Sequence, residues 1–417
     1  MLEARFLAAL DFLGPFLPSP HLAIALSGGA DSLAITLLAH EWATKRGGRI
    51  TALTVDHRLR TESTAEAEHV AAMMRARGIT HHILTPEHTA NSNNLQEAAR
   101  NWRYHALGDY CRSNGLLHCL VAHHAGDNRE TVQHNLERGD TADGASGMRT
   151  SRNIHGVRFL RPLLTCERVD LEAYLRANKL TWIDDPSNQN TSFARVRTRQ
   201  MLQQNTVRVA ELDGVIAQQS AARIVRDHAL AKAAMQCVTM SPLGFADIDL
   251  DAWRALEPLL ASQLLADCLT TISGQTNRPR ASDSARLIEA MQQPAFVKRT
   301  LQHCEITLRD GIVRIARELS RVGASLLLEG AGEVIWDERF RVRYAIPEGV
   351  AYQLRALDRH GYKLLREQGF DLPLATPALW HLDELEYVPH IGMPHPASQQ
   401  VRIGFAPAKP LAAAPFW

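Results

Sequence analysis

Four short apolar runs recur through the first third of the chain, each followed by a stretch of different periodicity, and this alternation restricts the fold more than any other feature. LAIAL (22–26), ITALTV (50–55), HHILT (81–85) and HCLVAHH (118–124) have the aliphatic and β-branched composition of strands and are bounded by polar turns. Between them, Ser32–Lys45, Ala65–Arg77 and Leu95–Ser113 read as helices, the last with Leu95, Ala98, Ala99, Trp102, Ala106 and Tyr110 on one face. Strict alternation predicts βαβ units and an α/β fold whose parallel sheet is covered on both sides.

The 417 residues exceed what one hydrophobic core serves, so two or three domains are expected. The reading divides the chain into the α/β domain (1–205), a mostly helical, Ala/Leu/Arg-rich domain (206–322) and a small C-terminal α+β domain (323–417). The last contains strand-like SLLLEG and GEVIWDERFRVRYAI among many prolines, and ERGDTADGASGM (137–148) reads as a loop. With 45% hydrophobic and 22% charged residues the chain is an ordinary soluble type. No membrane span or cleavable signal is evident, MLEARFLAALDFLGPFL being interrupted by Glu3, Arg5 and Asp11, which predicts a cytoplasmic protein. Cys111, Cys119, Cys166, Cys237, Cys268 and Cys304 are scattered and form no CxxC, which argues against disulfides, zinc and iron–sulfur centres. A net charge of +1 neither implies nor excludes nucleic acid, since a phosphate backbone needs only a local basic surface.

At LAIALSGGADS (22–32) an apolar strand stops at two glycines and turns at once into a helix. Such a junction aims backbone N–H groups and the positive end of a helix dipole past the strand's carboxyl end, which favours phosphate. Gly28 and Gly29 let the backbone approach an anion closely, and Ser27 and Ser32 add hydroxyls. Neither GK[ST] nor GxGxxG is present, so this is not a Walker or a dinucleotide loop. The plainer reading is a tight turn with Asp31 or Ser32 capping the helix.

Other polar groups fall at the same sheet edge. Asp56 and His57 end the second run, where an acid could hold magnesium or polarise an incoming amine, or merely cap a helix. His123 and His124 end the fourth run, and Asp127 and Glu130 follow, a set open to a metal cluster or to hydrogen-bonded structural roles. Arg100 and Arg103 lie about one helical turn apart, with Glu97 a turn before, suited to phosphates or RNA or to a salt-bridged surface. Arg195, Arg197 and Arg199 crowd five residues, as an RNA-backbone contact or a solvated face.

SGGADS fits the SGGxDS signature of the PP-loop (N-type) ATP pyrophosphatases, which cleave ATP between its α and β phosphates and adenylate a carbonyl oxygen. LTVDHRLR (53–60), LQEAARNWRYHAL (95–107), AHHAGDNRETVQHNLERGDTADGASGM (122–148), RPLL (161–164) and WIDDPSNQNTSFARVRTR (182–199) further resemble, in order and spacing, the tRNA(Ile)-lysidine synthetase family. The resemblance implies a PP-loop, adenine nucleotide alpha hydrolase-like catalytic domain followed by tRNA-reading additions, the last at the acceptor arm. It implies adenylation of carbon 2's oxygen in the wobble cytidine of a CAU-anticodon tRNA(Ile), then displacement of AMP by the ε-amine of L-lysine. ATP and Mg2+ would be required, and a homodimer is one assembly it allows.

Residue by residue, the resemblance implies catalytic roles for Asp56, Asp127 and Arg103. It assigns ATP to Ser27, Gly28, Gly29, Ala30, Asp31, Ser32, His57, His123 and Arg100, with Asp31 on the metal. Glu130, Arg138, Arg195 and Arg199 are implied to contact the other substrates. The chain departs from the family's usual HHxDDQxET by Gly126 for the first Asp and Asn128 for the Gln, which removes one of two paired carboxylates. Arg58, Val196 and Asp140 replace the usual Gly, Asn and Ser. The rival readings are a PP-loop tRNA thiolase, disfavoured by the lack of CxxC, and a non-catalytic nucleotide-binding module.

Overall fold

The computed structural model describes residues 1–56, 63–85, 95–139, 144–154, 156–183, 194–293, 295–389, 391 and 397–411, without the side chains of 95–101 and 398. His57 and the 184–193 part of the WIDDPSN block therefore lie outside the described residues. The chain divides into two compact units between Val225 and Arg226.

The first unit begins with α1 (Leu2–Leu13), β1 (His21–Ala25), α2 (Ala30–Thr44), β2 (Arg49–Val55), α3 (Ser63–Arg75), β3 (Thr80–Leu84) and α4 (Leu95–Ser113). It continues through β4 (His118–Leu120), α5 (Ala125–Glu137), β5 (Ser151–Ile154), β6 (Val157–Leu160), α6 (Arg168–Ala177), α7 (Ala194–Gln203) and α8 (Thr206–Cys237), whose last turns pass into the second unit. The described strands form a six-stranded sheet in the order β3-β2-β1-β4-β6-β5. All neighbours are parallel except β5, which folds back on β6 as an antiparallel edge.

Alternation along β1 divides the core. Leu22 and Ile24 join Leu33, Trp42, Leu160, Leu171 and Leu175 on one face, while Ala23 joins Leu53, Leu107, Cys111, Cys119 and Phe159 on the other. The sheet is thus covered on both sides, as expected from near-continuous apolar strands. The order reverses at β1, with β2 on one side and β4 on the other, which opens a crevice past the carboxyl ends of β1 and β4. The fourth strand is shorter than its apolar run suggests. β4 stops at Leu120, and after Val121 N–H donates to Leu160 O (2.9 Å) the chain leaves the sheet, so His123 and His124 stand in the loop before α5.

In the second unit, β7 (Val238–Ser241), β8 (Phe245–Asp249), α9 (Leu250–Arg254), α10 (Pro258–Ser273), α11 (Ala281–Met291), β9 (Lys298–Leu301), β10 (Cys304–Arg309) and β11 (Ile312–Arg317) come first. The stretch expected to be mostly helical therefore also carries an antiparallel sheet, ordered β7-β8-β11-β10-β9, against which α10 buries Leu264, Leu265, Leu269 and Ile272. A two-residue turn at Asp310 (φ 51°) and Gly311 (φ 77°) makes the β10–β11 hairpin, the paired positive φ that Asp-Gly adopts readily.

The remainder is β12 (Leu326–Leu328), β13 (Ala331–Trp336), β14 (Phe340–Ala345), β15 (Tyr352–Ala356), α12 (Asp358–Glu367), β16 (Pro377–His381), β17 (Glu384–Tyr387), α13 (Ala397–Gln400) and β18 (Val401–Phe405). These strands form two small antiparallel sheets, β12-β15-β16-β17 and β13-β14-β18. Asp337, 1% exposed in its side chain, accepts from Arg317 Nη2 (3.1 Å) and Gly323 N–H (2.8 Å) on Oδ1 and from Arg339 Nε (2.8 Å) on Oδ2. No described helix is long and apolar enough to cross a membrane.

Candidate active site

The crevice is built on the β1–α2 junction. Leu26 N–H still donates to Leu53 O (2.9 Å), and Leu26 O accepts from Thr54 Oγ1 (2.8 Å), so the strand is held beyond its last paired residue. Gly28 then takes φ +84°, and a Cβ there would sit 2.7 Å from Val70 Cγ2 and 3.0 Å from Ile183 Cδ1. Glycine is required twice over, by conformation and by space.

The helix cap is Gly29, in extended conformation and with no side-chain cap bond. The expected capping by Asp31 or Ser32 is not what the structure has. Ser32 Oγ instead donates to Gly29 O (2.9 Å) and accepts from Ser27 N–H (3.1 Å), with Ser27 Oγ also 3.1 Å away. Ser32 stitches the turn together, and no described side chain caps the first-turn amides, the arrangement that receives an anion.

Beside this turn lies a cavity of about 260 Å³, lined by Ser27, Gly29, Asp31, Ser32, Leu53, Val55, Arg103, Tyr104, Leu107 and His123 among others. Polar groups converge from one side, and an apolar wall suits a flat ring. Arg103 is exposed at its rim, and His123 Nδ1 accepts from Arg161 Nε (3.3 Å). Arg100 lies a turn before Arg103 on α4, its side chain outside the described set.

Asp31 sits in the first turn of α2 with Oδ1 buried and lacking a hydrogen-bond partner among the described residues. Burial raises its carboxyl above the ordinary range, His124 and Arg168 opposing and Asp127 adding to the rise. His124, 4% exposed, is the N-cap of α5 and puts Nε2 3.7 Å from Asp31 Oδ2 and 3.7 Å from Asp127 Oδ2. Asp127 also accepts from the His124 backbone N–H (3.1 Å) and lies 3.7 Å from Arg199 Nη2. The sequence assigns ATP to His123 and leaves His124 open between a metal site and a structural role. The signal for His124 was its position just ahead of the helical run AGDNRETVQHNLE.

A second cavity of about 190 Å³ reaches His124, lined by it and by Gly126, Arg129, Glu130, Glu167, Arg168, Arg199 and Gln203 among others. Glu130 is buried and takes Arg199 Nε (2.6 Å) and Nη2 (3.2 Å) in a two-bond ion pair. Arg129 likewise clasps Glu167 through Nη1 (2.9 Å) and Asp213 through Nε (2.7 Å), fixing α5 to α8 and to the start of α6. Arg168, missed in the sequence, completes the basic side of this wall.

The other expected residues spread further. Asp56 is 2% exposed, and its two oxygens accept from Ser63 Oγ (2.7 Å) and Thr64 Oγ1 (2.8 Å), which ties the end of β2 to the head of α3. Arg138 is exposed at the C-terminal cap of α5, about 20 Å of helix away from His124. Arg195 is exposed one turn before Arg199 on α7. No described cluster of three or more His, Cys, Asp or Glu residues could hold a metal, so the His123/His124/Asp127/Glu130 set does not form one. All six cysteines are buried and free.

The chain is similar to known proteins over most of its length. Residues 4–206 match the PP-loop domain family. A tRNA(Ile)-lysidine synthase of Orientia tsutsugamushi is 32% identical over 82% of this chain and 79% of that protein. One from Hyphomonas neptunium is 35% identical over 74% of this chain and 84% of its own length. One from Rickettsia bellii is 30% identical over 93% of both.

Proposed function

Since the chain belongs to the tRNA(Ile)-lysidine synthase family and is a ligase that forms a carbon–nitrogen bond with ATP, we propose how its own residues divide that work. The substrates are ATP, L-lysine and the wobble cytidine of a CAU-anticodon tRNA(Ile), and the product is lysidine, which pairs with A instead of G. One arrangement carries the reading: Asp31 lines the cavity beside the helix amides, and His124, 3.7 Å from it and from Asp127, lines the cavity beside the Glu130–Arg199 pair.

ATP occupies the first cavity, with its phosphates at the Ser27–Ser32 turn and its adenine against the Leu53, Val55 and Leu107 wall. The cytidine O2 attacks the α-phosphorus and pyrophosphate leaves. Amides of the turn and the α2 dipole neutralise the departing charge, and Arg103 at the rim neutralises the α-phosphate. Asp31 offers a buried oxygen with no donor among the described residues, and one carboxylate together with substrate phosphates is how Mg2+ is commonly held. Magnesium there would supply further charge neutralisation for the leaving pyrophosphate.

Lysine enters the second cavity, where the Glu130–Arg199 pair and Arg168 receive its amino and carboxylate groups. Its ε-amine gives a proton to the Asp127 carboxylate and attacks carbon 2. The C–N bond forms, the C–O bond breaks and AMP departs. Asp56 acts by fixing α3 at the sheet edge. Arg138 and Arg195 contact the tRNA backbone, the second unit reads the remainder of the tRNA, and the enzyme works in the cytoplasm, as a homodimer if it associates.

Incubation with ATP, labelled lysine and CAU-anticodon tRNA tests the proposal. It predicts one AMP released per lysine incorporated, whereas pyrophosphate release with no lysine in the tRNA refutes it.

A further inference from the structure

The ring of His124 is set by one hydrogen bond, by two carboxylates that it faces and by the space around it. Its Nδ1 accepts from Gly126 N–H (3.0 Å), so Nδ1 carries no proton, and a neutral ring then carries its proton on Nε2. That Nε2 faces Asp31 Oδ2 from α2 and Asp127 Oδ2 from α5, each at 3.7 Å. The third constraint is space. A Cβ at residue 126 would sit 2.8 Å from His124 Cε1 and 3.1 Å from Nδ1, and the 4% exposed ring has little room to yield.

We propose that His124 is a positioning residue of the ligase, its Nε2–H held between the Asp31 and Asp127 carboxylates, and that Gly126 is what allows the ring to lie there. Two carboxylates converging on one wall repel each other, and an N–H dipole 3.7 Å from each eases that repulsion. Asp31 faces the ring with Oδ2, and its Oδ1 has no donor among the described residues. The glycine that stands where the family commonly has an acid thus takes on a role of its own in this chain: it trades a carboxylate for a fixed imidazole.

The inference rests on the roles proposed above for Asp31 and Asp127, and two measurements separate it from them. Nitrogen-15 spectra of the histidine-labelled full-length protein read the tautomer without any reaction. The His124 ring is expected with Nδ1 bare and Nε2 protonated, and an Nδ1–H tautomer or an imidazolium overturns the inference whatever the enzyme catalyses. Kinetics of ATP–pyrophosphate exchange and lysine transfer form the second. Asparagine keeps an N-cap acceptor for Gly126 N–H but has nothing at the Nε2 position. His124→Asn is therefore expected to melt near wild type and to lose about a hundredfold in kcat with little change in KM for ATP, in the range of one lost site donor. His124→Gln, whose amide reaches the Nε2 position, is expected to recover part of that loss. Gly126→Ala, by displacing the ring, is expected to reproduce the His124→Asn kinetics. Wild-type kcat in either His124→Asn or Gly126→Ala contradicts the inference.

Discussion

Arg199 on α7 and Glu130 on α5, separated by 69 residues in sequence, form a two-bond ion pair at 2.6 and 3.2 Å with Glu130 buried beneath it. Removing one partner strands a buried charge, which costs about 3 kcal/mol. Arg199→Ala is expected to lose about that much in urea unfolding and to raise the KM for lysine. The double variant Arg199→Met/Glu130→Met is expected to regain stability while lysine binding stays weak. Return of both together would make the pair purely structural.

The two glycines of the PP-loop turn are expected to fail in different ways. Gly28 combines φ +84° with a side-chain site 2.7 Å from Val70, so Gly28→Ala should lower the melting temperature and abolish ATP binding together. Gly29 has ordinary backbone angles, and its added Cβ would meet nothing nearer than 3.7 Å. Gly29→Ala should therefore fold normally and show its defect only in ATP affinity. Calorimetry of both variants, with and without ATP, checks the split.

Acid sensitivity is expected from two histidines outside the site. Burial, aided by Arg158 beside His118 and by His82 beside His81, lowers both rings from 6.5 to about 4. Between those values the unfolded chain binds protons that the fold refuses, so this stability is fully present above pH 6.5 and is lost as the pH falls towards 4. Solvent reaches both rings, which holds the combined effect to about 2–4 kcal/mol. Urea titrations from pH 7 to pH 4 measure it. His118→Gln is expected to flatten the curve, and an unchanged slope would place the sensitivity elsewhere.

In the second unit, Asp337 holds two guanidinium groups, Arg317 and Arg339, each less than a tenth exposed. Asp337→Asn leaves two buried cations without a counter-charge and is expected to cost about 3–5 kcal/mol. Differential scanning calorimetry should show the loss, and a melting profile like wild type would mean that water or backbone carbonyls carry the arginines instead.

Much of this was legible in the sequence because it is local. The β1–Gly28–Gly29–α2 junction needs only an apolar run, two glycines and a helical pattern, and α4 spans the predicted Leu95–Ser113. What escaped is long-range or depends on where a strand lets go. His123 and His124 read as strand because they directly follow the apolar CLVA, yet the pairing partner β6 stops at Leu160 and the chain departs with it. The Glu130–Arg199 pair joins helices that no periodicity connects. The second-unit sheet was hidden by its helical surroundings, although Asp310-Gly311 between CEITLR and IVRIAR marked a hairpin in plain letters.

Oxygen-18 placed on the carbon-2 carbonyl of the wobble cytidine gives the most direct measurement. If the PP-loop turn presents the α-phosphate of ATP to that oxygen, one turnover with lysine must transfer the label into AMP and leave none in lysidine. Label retained in the tRNA, or AMP carrying oxygen only from water, would contradict adenylation of the base and with it the assignment of the Ser27–Ser32 turn to pyrophosphate departure.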